Sequence, residues 1–591
     1  MKQQRQAKNK KNAKPTGGMD AQKKFYIGLG VIVLTYLIIF AYTYSPKLEH
    51  HIVDNVYYYV TGSCMEQGLG FINGDIQQTI LGNYPPGYPA VIAVVRAFGG
   101  EIPALNVING LFLLFSLVML YYLFYEITDK NFFLSFVTVM MLTTNPSITH
   151  FANTGRAELS CMFFTMICFC FFYKLLQQKQ FNRNYFLILL AVSISATIVY
   201  FTKFQAAIIY PTLFLSIICI IIANTRNKNN EQTRPSNKLY IASFVGILVI
   251  FIASYYPWAQ YLENRKDLIP PTWEGFPTGG NSLTTKMDGK LMEDKYDINE
   301  WVIRFENNAT IFFTKSLQSI ILPMPFFIHL TPNFNDPWVA SDWFVGILLF
   351  LIVLLGFFTL CRKSQLYYLI FFFIAGTICV NMLFSDRWIH NDFHRYTFGM
   401  HPFIILLFIA GLMKTISFIV AKLKVSDATQ KFAPYGVVAV FLLYLASNYF
   451  PAIAEAHNYA EKPAFGAYKD FPGFSDEDMV PFQEYLQAIQ WVDQNIYSKN
   501  PDAIVATRKP DIYYTYCNHR PSNFPAMGTE PDSVYNYFKK YKVNYVILDT
   551  WYAHAYSTEA PAAMKYPDNF KIIHQLGNPE KPTYILEFIP D

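Results

Sequence analysis

The chain has 591 residues, 53% hydrophobic and only 15% charged, with a mean hydropathy of +0.20. A soluble protein of this size carries about 25% charged residues, so the composition excludes an ordinary soluble enzyme. The formal net charge of +5 does not point to nucleic acid, because the basic residues cluster in short turns between apolar runs.

The chain opens on MKQQRQAKNKKNAKPTGG. Residues 1–24 read as a disordered basic tail, cytoplasmic by the positive-inside rule. The run that follows is too long for a cleavable signal and lacks a small-residue cleavage site. Apolar runs of about 18–23 residues then recur, each long enough for a transmembrane helix. Period-2 alternation is missing, which excludes a barrel. The predicted spans are 25–44, 103–125, 132–150, 159–177, 185–204, 206–223, 240–257, 343–361, 365–384, 399–420 and 434–451. The fold class is thus a mainly α polytopic membrane protein of about 11 transmembrane helices.

Alternating sides along these spans keep the basic residues on one face. Lys130, Lys179, Arg183, Arg226, Lys228, Arg362, Lys363, Lys422 and Lys424 all fall in inner turns. The scheme requires that PGYPAVIAVVRAF (86–98) and ATIFFTKSLQSIILPMPFFIHL (309–330) do not cross. The first is short. The second carries Lys315, Gln318 and prolines, and reads as an outer-surface or re-entrant helix. The outer face then holds loops 45–102, 145–158, 258–342 and 385–398.

From about 452 the composition turns mixed and aromatic. Residues 480–496 and 531–542 show helical periodicity, while DAIVAT, VNYVILDT, KIIHQL and TYILEF read as strands. Residues 452–591 are therefore expected to form a small extracytoplasmic α/β domain after a membrane domain at 25–451. No glycine-rich phosphate loop follows these strands, so nucleotide binding is not supported. The eight cysteines show neither zinc-finger nor redox spacing.

Few residues on the outer face have the chemistry of a site. Asp54 follows the first span, with Tyr57 and Tyr58 at helical spacing and Tyr84 in the proline-rich NYPPGYP. The bland reading of Asp54 is a helix cap. Arg156 and Glu158 begin the fourth span, as a local ion pair or as groups facing a water-filled cavity. Lys203 ends the fifth span, as a snorkelling lysine or an anion ligand. His394, Arg395 and Tyr396 precede the tenth span, where arginine also meets lipid phosphate. One outward carboxylate with several cations at membrane depth suits attack on a sugar linked to a lipid phosphate. The carboxylate takes the acceptor proton, and arginine and lysine bind phosphate.

In their order these features resemble the GT-C glycosyltransferases. Within them the chain is similar to the protein O-mannosyltransferase and aminoarabinose lipid A transferase group, the glycosyltransferase family 39-like proteins. The likeness covers about residues 25–420. It rests on Asp54 with Tyr57-Tyr58, GLGF (68–71), YPPGYP (84–89), GRAEL (155–159), Thr202-Lys203 with Pro211, and HRY (394–396). It implies Asp54 as catalytic base, and Lys203, Arg395, Arg156 and His394 at the donor phosphate. It further implies Glu158, Tyr57, Tyr58, Tyr84 and Tyr396 around the sugar or acceptor. The implied reaction inverts the anomeric carbon of a polyprenyl-phosphate sugar and delivers it to a protein, lipid or cell-envelope glycan outside the cytoplasm. Membrane lipids are the surrounding partners, and a bacterial plasma membrane is the expected location. Many relatives carry Asp-Glu where this chain has Asp54-Asn55, and an acid where it has Asn83. No acid pair of DxD type occurs in the external loops at 45–158, so a reaction without metal or cofactor is expected. Two readings from other classes compete. One is a flippase for lipid-linked sugars, which predicts matching inverted halves that the chain lacks. The other is a non-catalytic envelope-assembly protein, which would not need Asp54.

Overall fold

A computed structural model describes residues 20–46, 54–80, 84–153, 155–226, 236–268, 297–322, 340–360, 366–383, 397–461, 476–525, 528–550, 555–577, 579 and 582–591. Among these, nine helices are long and apolar enough to cross a membrane. The chain is an integral membrane protein whose helical bundle carries a small sheet at its C-terminal end.

The bundle begins with α1 (Ala21–Thr43). Two short helices follow, α2 (Asp54–Glu66) and α3 (Gly87–Ala97). Then come α4 (Ile102–Ile127), α5 (Phe132–Thr144), α6 (Glu158–Leu176), α7 (Arg183–Thr202), α8 (Ile209–Arg226) and α9 (Asn237–Glu263). After α10 (Ile298–Ile311), the bundle closes with α11 (Ala340–Leu360), α12 (Tyr367–Leu383), α13 (His401–Lys422) and α14 (Asp427–Glu461). Nine of the predicted spans are these long helices. The other two are α5 and α12, of 13 and 17 residues. At 1.5 Å per residue, α5 rises about 20 Å, less than a hydrocarbon core of about 30 Å.

Small residues let two helices cross in close contact. A side chain at Gly356 of α11 would strike the Leu407 carbonyl of α13, and one at Gly411 would strike that of Ile352. The two backbones therefore touch, the packing membrane helices use where apolar burial alone gives no drive. Of the stretch 309–330, residues 323–330 lie outside the described residues. α10 continues through a π-helical turn (Phe312–Ser316) to Ile321. Asn308 donates to the Met382 carbonyl at the end of α12, and Gln318 donates to the Asp342 carbonyl at the start of α11. Both contacts lie at the end of the bundle where α12 finishes and α11 begins.

The C-terminal unit has α15 (Asp476–Val492), β1 (Val505–Thr507), α16 (Pro510–Cys517), β2 (Ser522–Asn523), α17 (Pro531–Lys540), β3 (Tyr545–Leu548), β4 (Phe570–Leu576) and β5 (Thr583–Phe588). The sheet order is β2-β1-β3-β5-β4. β1 pairs in parallel with β2 and β3, while β5 is antiparallel to β3 and β4. The predicted helices and strands are present. α16 and β2 were not foreseen, although Pro510-Asp511 is a helix-start signal. α14 runs to Glu461, beyond the expected boundary at 451. There His457 meets the Tyr42 carbonyl at 2.6 Å, which brings the end of α14 to the end of α1.

Candidate active site

Asp54 occupies the first turn of α2, where a carboxylate suits the positive end of the helix dipole. Tyr84 donates its hydroxyl to Asp54 Oδ1 at 2.5 Å. The Tyr84 ring lies 4.4 Å from that of Tyr57 and meets Tyr58 edge-on at 5.4 Å. Tyr57 and Tyr58 are themselves buried. They form the wall behind Tyr84, which is the residue they deliver to the carboxylate.

Past Tyr84 the chain turns through Pro85-Pro86 into α3. A side chain at Gly87 would meet the Phe201 carbonyl at 2.5 Å, so only glycine lets this turn rest on the end of α7. That end carries Lys203, whose extended backbone (φ −156°) stops α7. The chain then makes a 3-10 turn (Phe204–Ile208) and enters α8, whose third residue, Pro211, has no amide to leave unbonded. Lys203 Nζ lies 2.8 Å from Glu158 Oε1 in the first turn of α6, with side chains only 11% and 1% exposed. Surface ion pairs contribute little. This one is enclosed, where breaking a pair costs more than at the surface.

Tyr88 connects the two halves. Its hydroxyl lies 3.1 Å from Asn109 Oδ1 on α4. Burial, with the Glu158 carboxylate close by, holds its phenol well above the usual range. Arg156 is buried just ahead of α6. The structure thus brings together Asp54, Tyr57, Tyr58, Tyr84, Glu158 and Lys203 at one end of the bundle. His394, Arg395 and Tyr396 lie outside the described residues. The residues that follow are close by, since Phe398 packs edge-on against Phe151 at 4.8 Å, five residues before Arg156.

Sequence reasoning missed Asn109. A polar residue within the apolar run NVINGLF was the available signal. It also missed a cleft of about 580 Å³ between the GLGF loop and the end of α9. Pro86 and Phe201 line it on the site side, and Trp258, Tyr261 and Arg265 on the other. Trp258 stacks on Tyr261 at 5.4 Å, and the Arg265 guanidinium sits 4.2 Å above the Tyr261 ring. Among the described residues no group of three or more His, Cys, Asp or Glu is arranged to hold a metal ion.

Comparison with known proteins agrees with this architecture. The family described as dolichyl-phosphate-mannose-protein mannosyltransferase matches residues 79–266. That segment contains Tyr84, Arg156, Glu158 and Lys203. No curated protein matches the chain in sequence. Among solved structures, the Archaeoglobus fulgidus oligosaccharyltransferase AglB, in complex with an inhibitory peptide and a dolichol-phosphate, superposes with a TM-score of 0.54 at 11% identity. The alignment covers 95% of this chain and 74% of that one. ArnT from Cupriavidus metallidurans bound to undecaprenyl phosphate superposes with a TM-score of 0.52 at 11% identity, covering 95% and 97%. A second Archaeoglobus oligosaccharyltransferase structure, tethered to an acceptor peptide, gives 0.50 at 12% identity, covering 96% and 74%. The chain shares the fold of these oligosaccharyltransferase and ArnT structures.

Proposed function

We propose that this protein is a membrane glycosyltransferase that moves a sugar from a polyprenyl-phosphate carrier to an acceptor hydroxyl, with inversion at the anomeric carbon and Asp54 as base. The observation that carries the reading is the Asp54 carboxylate, held by Tyr84 at the same end of the bundle as the enclosed Lys203–Glu158 pair. The family match across residues 79–266 supports it. So do two structural neighbours that hold dolichol-phosphate and undecaprenyl phosphate.

The chemistry follows from these groups. The acceptor oxygen attacks the anomeric carbon as its proton passes to Asp54. The bond from that carbon to the phosphate oxygen breaks, and its electron pair stays on the phosphate. Lys203, with Arg156, Arg395 and His394, stabilises the leaving phosphate, so no separate general acid is required. Glu158 keeps Lys203 in place until the donor phosphate competes for its ammonium. In sequence, Asn55 and Asn83 replace acids that many relatives carry, so turnover should survive chelation by EDTA. In this reading the basic N-terminal tail is cytoplasmic. The site and the C-terminal unit face the opposite side, where the acceptor is a protein, a lipid or an envelope glycan.

The test is sugar transfer or release from a radiolabelled panel of polyprenyl-phosphate sugars by purified protein, wild type against Asp54→Asn. Wild-type turnover that falls by about two to four orders of magnitude in the variant is expected. Equal turnover in both would remove Asp54 as base. Donor binding without turnover in either form would replace the enzyme with a carrier of lipid-linked sugars.

A further inference from the structure

The C-terminal unit does not sit beside the Asp54 helix as a separate body. Val56, Val60 and Cys64 of α2 share one buried hydrophobic core with Ile512 and Tyr513 of α16 and with Val505 of β1. α2 is only 13 residues long, too short to hold its shape without such packing.

The loop leaving α2 then closes on the edge of the sheet. Tyr514 donates to Gln67 at 3.0 Å, and the Ile76 amide donates to the Pro521 carbonyl at 2.9 Å. Arg520 donates to the Asp75 carbonyl. Gln77 uses both ends of its amide, donating to Ser522 Oγ at 2.6 Å and accepting from the Asn523 amide at 3.0 Å. A side chain thus completes the edge of β2, a strand of two residues. The turn is shaped for this contact. Gly74 has φ +75°, and a side chain there would strike Val60 and Tyr514. Gln78 holds φ 58°, a region that costs a non-glycine residue free energy and persists only where its surroundings enforce it. The Asp75 carboxylate is buried and accepts from the Thr79 amide at 2.8 Å and from the Thr79 hydroxyl.

We propose that this docking positions Asp54, with Gln77 and Arg520 acting through the turn at 74–79 as positioning residues for the base. The inference rests on the reading of Asp54 given above. Asp54 and Glu66 are the two ends of α2, about 18 Å apart. A tilt of about 3° at the docked end therefore moves the carboxylate about 1 Å. A misplacement of that size costs up to about 100-fold in rate.

The experiment compares full-length wild type, Gln77→Ala, Gln77→Glu and Asp54→Asn in proteoliposomes with a radiolabelled polyprenyl-phosphate sugar. It reads kcat, donor KM and amide hydrogen exchange across residues 54–66. Gln77→Ala should exchange faster along α2 and lose about 10- to 100-fold in kcat with donor KM unchanged. Gln77→Glu still accepts from the Asn523 amide and from Ser522, and should keep most of the wild-type rate. Unchanged exchange in Gln77→Ala overturns the proposal, as does faster exchange with unchanged kcat. Full turnover by Asp54→Asn overturns the base assignment and this role with it. The exchange data would then still report whether the docking orders α2. Should Gln77→Ala not fold, Gln77→Asn, which retracts the amide by one methylene, must give the same pattern.

Discussion

The helix that carries Asp54 is packed by residues far from it in sequence, whereas Lys203 is held by the consecutive helices it adjoins. Tyr84 reaches Asp54 across 30 residues. The helix behind Asp54 is packed by a C-terminal unit more than 400 residues away. Lys203 instead ends α7 and pairs with Glu158 at the start of α6, its neighbour in the bundle. The flanking Leu159, Val199 and Ile209 belong to the large membrane core. Lys203 thus sits mainly against the membrane core and Asp54 against the other; the two cores meet at Ala157 beside Glu158, and substitutions at the two groups should differ in effect.

The widest separation is expected from substitutions at the two groups themselves. Asp54→Asn should abolish about two to four orders of magnitude of turnover and leave thermal stability unchanged, read by sugar release beside a melting curve. Lys203→Met should instead damage both. It breaks an enclosed ion pair, a change that costs about 3–5 kcal/mol, and in the proposed reaction it also removes a donor to the leaving phosphate. Adding Glu158→Gln should restore the melting midpoint but not the rate. Recovery of the rate as well would show that Lys203 serves only to neutralise Glu158.

Tyr84→Phe is a smaller perturbation on the base side. It removes a hydrogen bond to a carboxylate worth about 1.5–3 kcal/mol. A hydrogen bond to the ionised form favours that form, so its loss should move the acid limb of the pH–rate profile to higher pH. An unmoved limb would separate Tyr84 from the titration of the base. The smallest effect is expected at Asp75. Burial pushes its carboxyl up to about 6, so its ionisation opposes the folded, docked state. The favourable contribution is full below about pH 4 and is lost as pH rises through about 6. Asp75→Asn should flatten the decline in melting temperature between pH 4 and pH 7. An identical decline in both proteins would place the titration elsewhere.

Much of the fold was legible in the sequence because its signals are local. The length of an apolar run decides whether a helix spans a bilayer, and a period of two or 3.6 marks strands and helices. Residues 583–588 and 543–550 were therefore readable, as were the polar interruptions Lys315 and Gln318 in the run that begins at 309. At the site, Asp54, Glu158 and Lys203 stood out because charge at membrane depth is costly and demands a reason. Their partners were not legible. The tyrosines looked like a pocket, but Tyr57 and Tyr58 prove to be the wall that delivers Tyr84 to Asp54.

Residue order alone was enough to set the membrane class, the helices and their polar interruptions, since water and lipid act on each segment separately. The pairing of Tyr84 with Asp54 and of Lys203 with Glu158 arose only in the folded chain, as did the joining of the sheet to α2. Each depends on shape agreement between segments tens to hundreds of residues apart, and no periodicity in one segment encodes where another will lie.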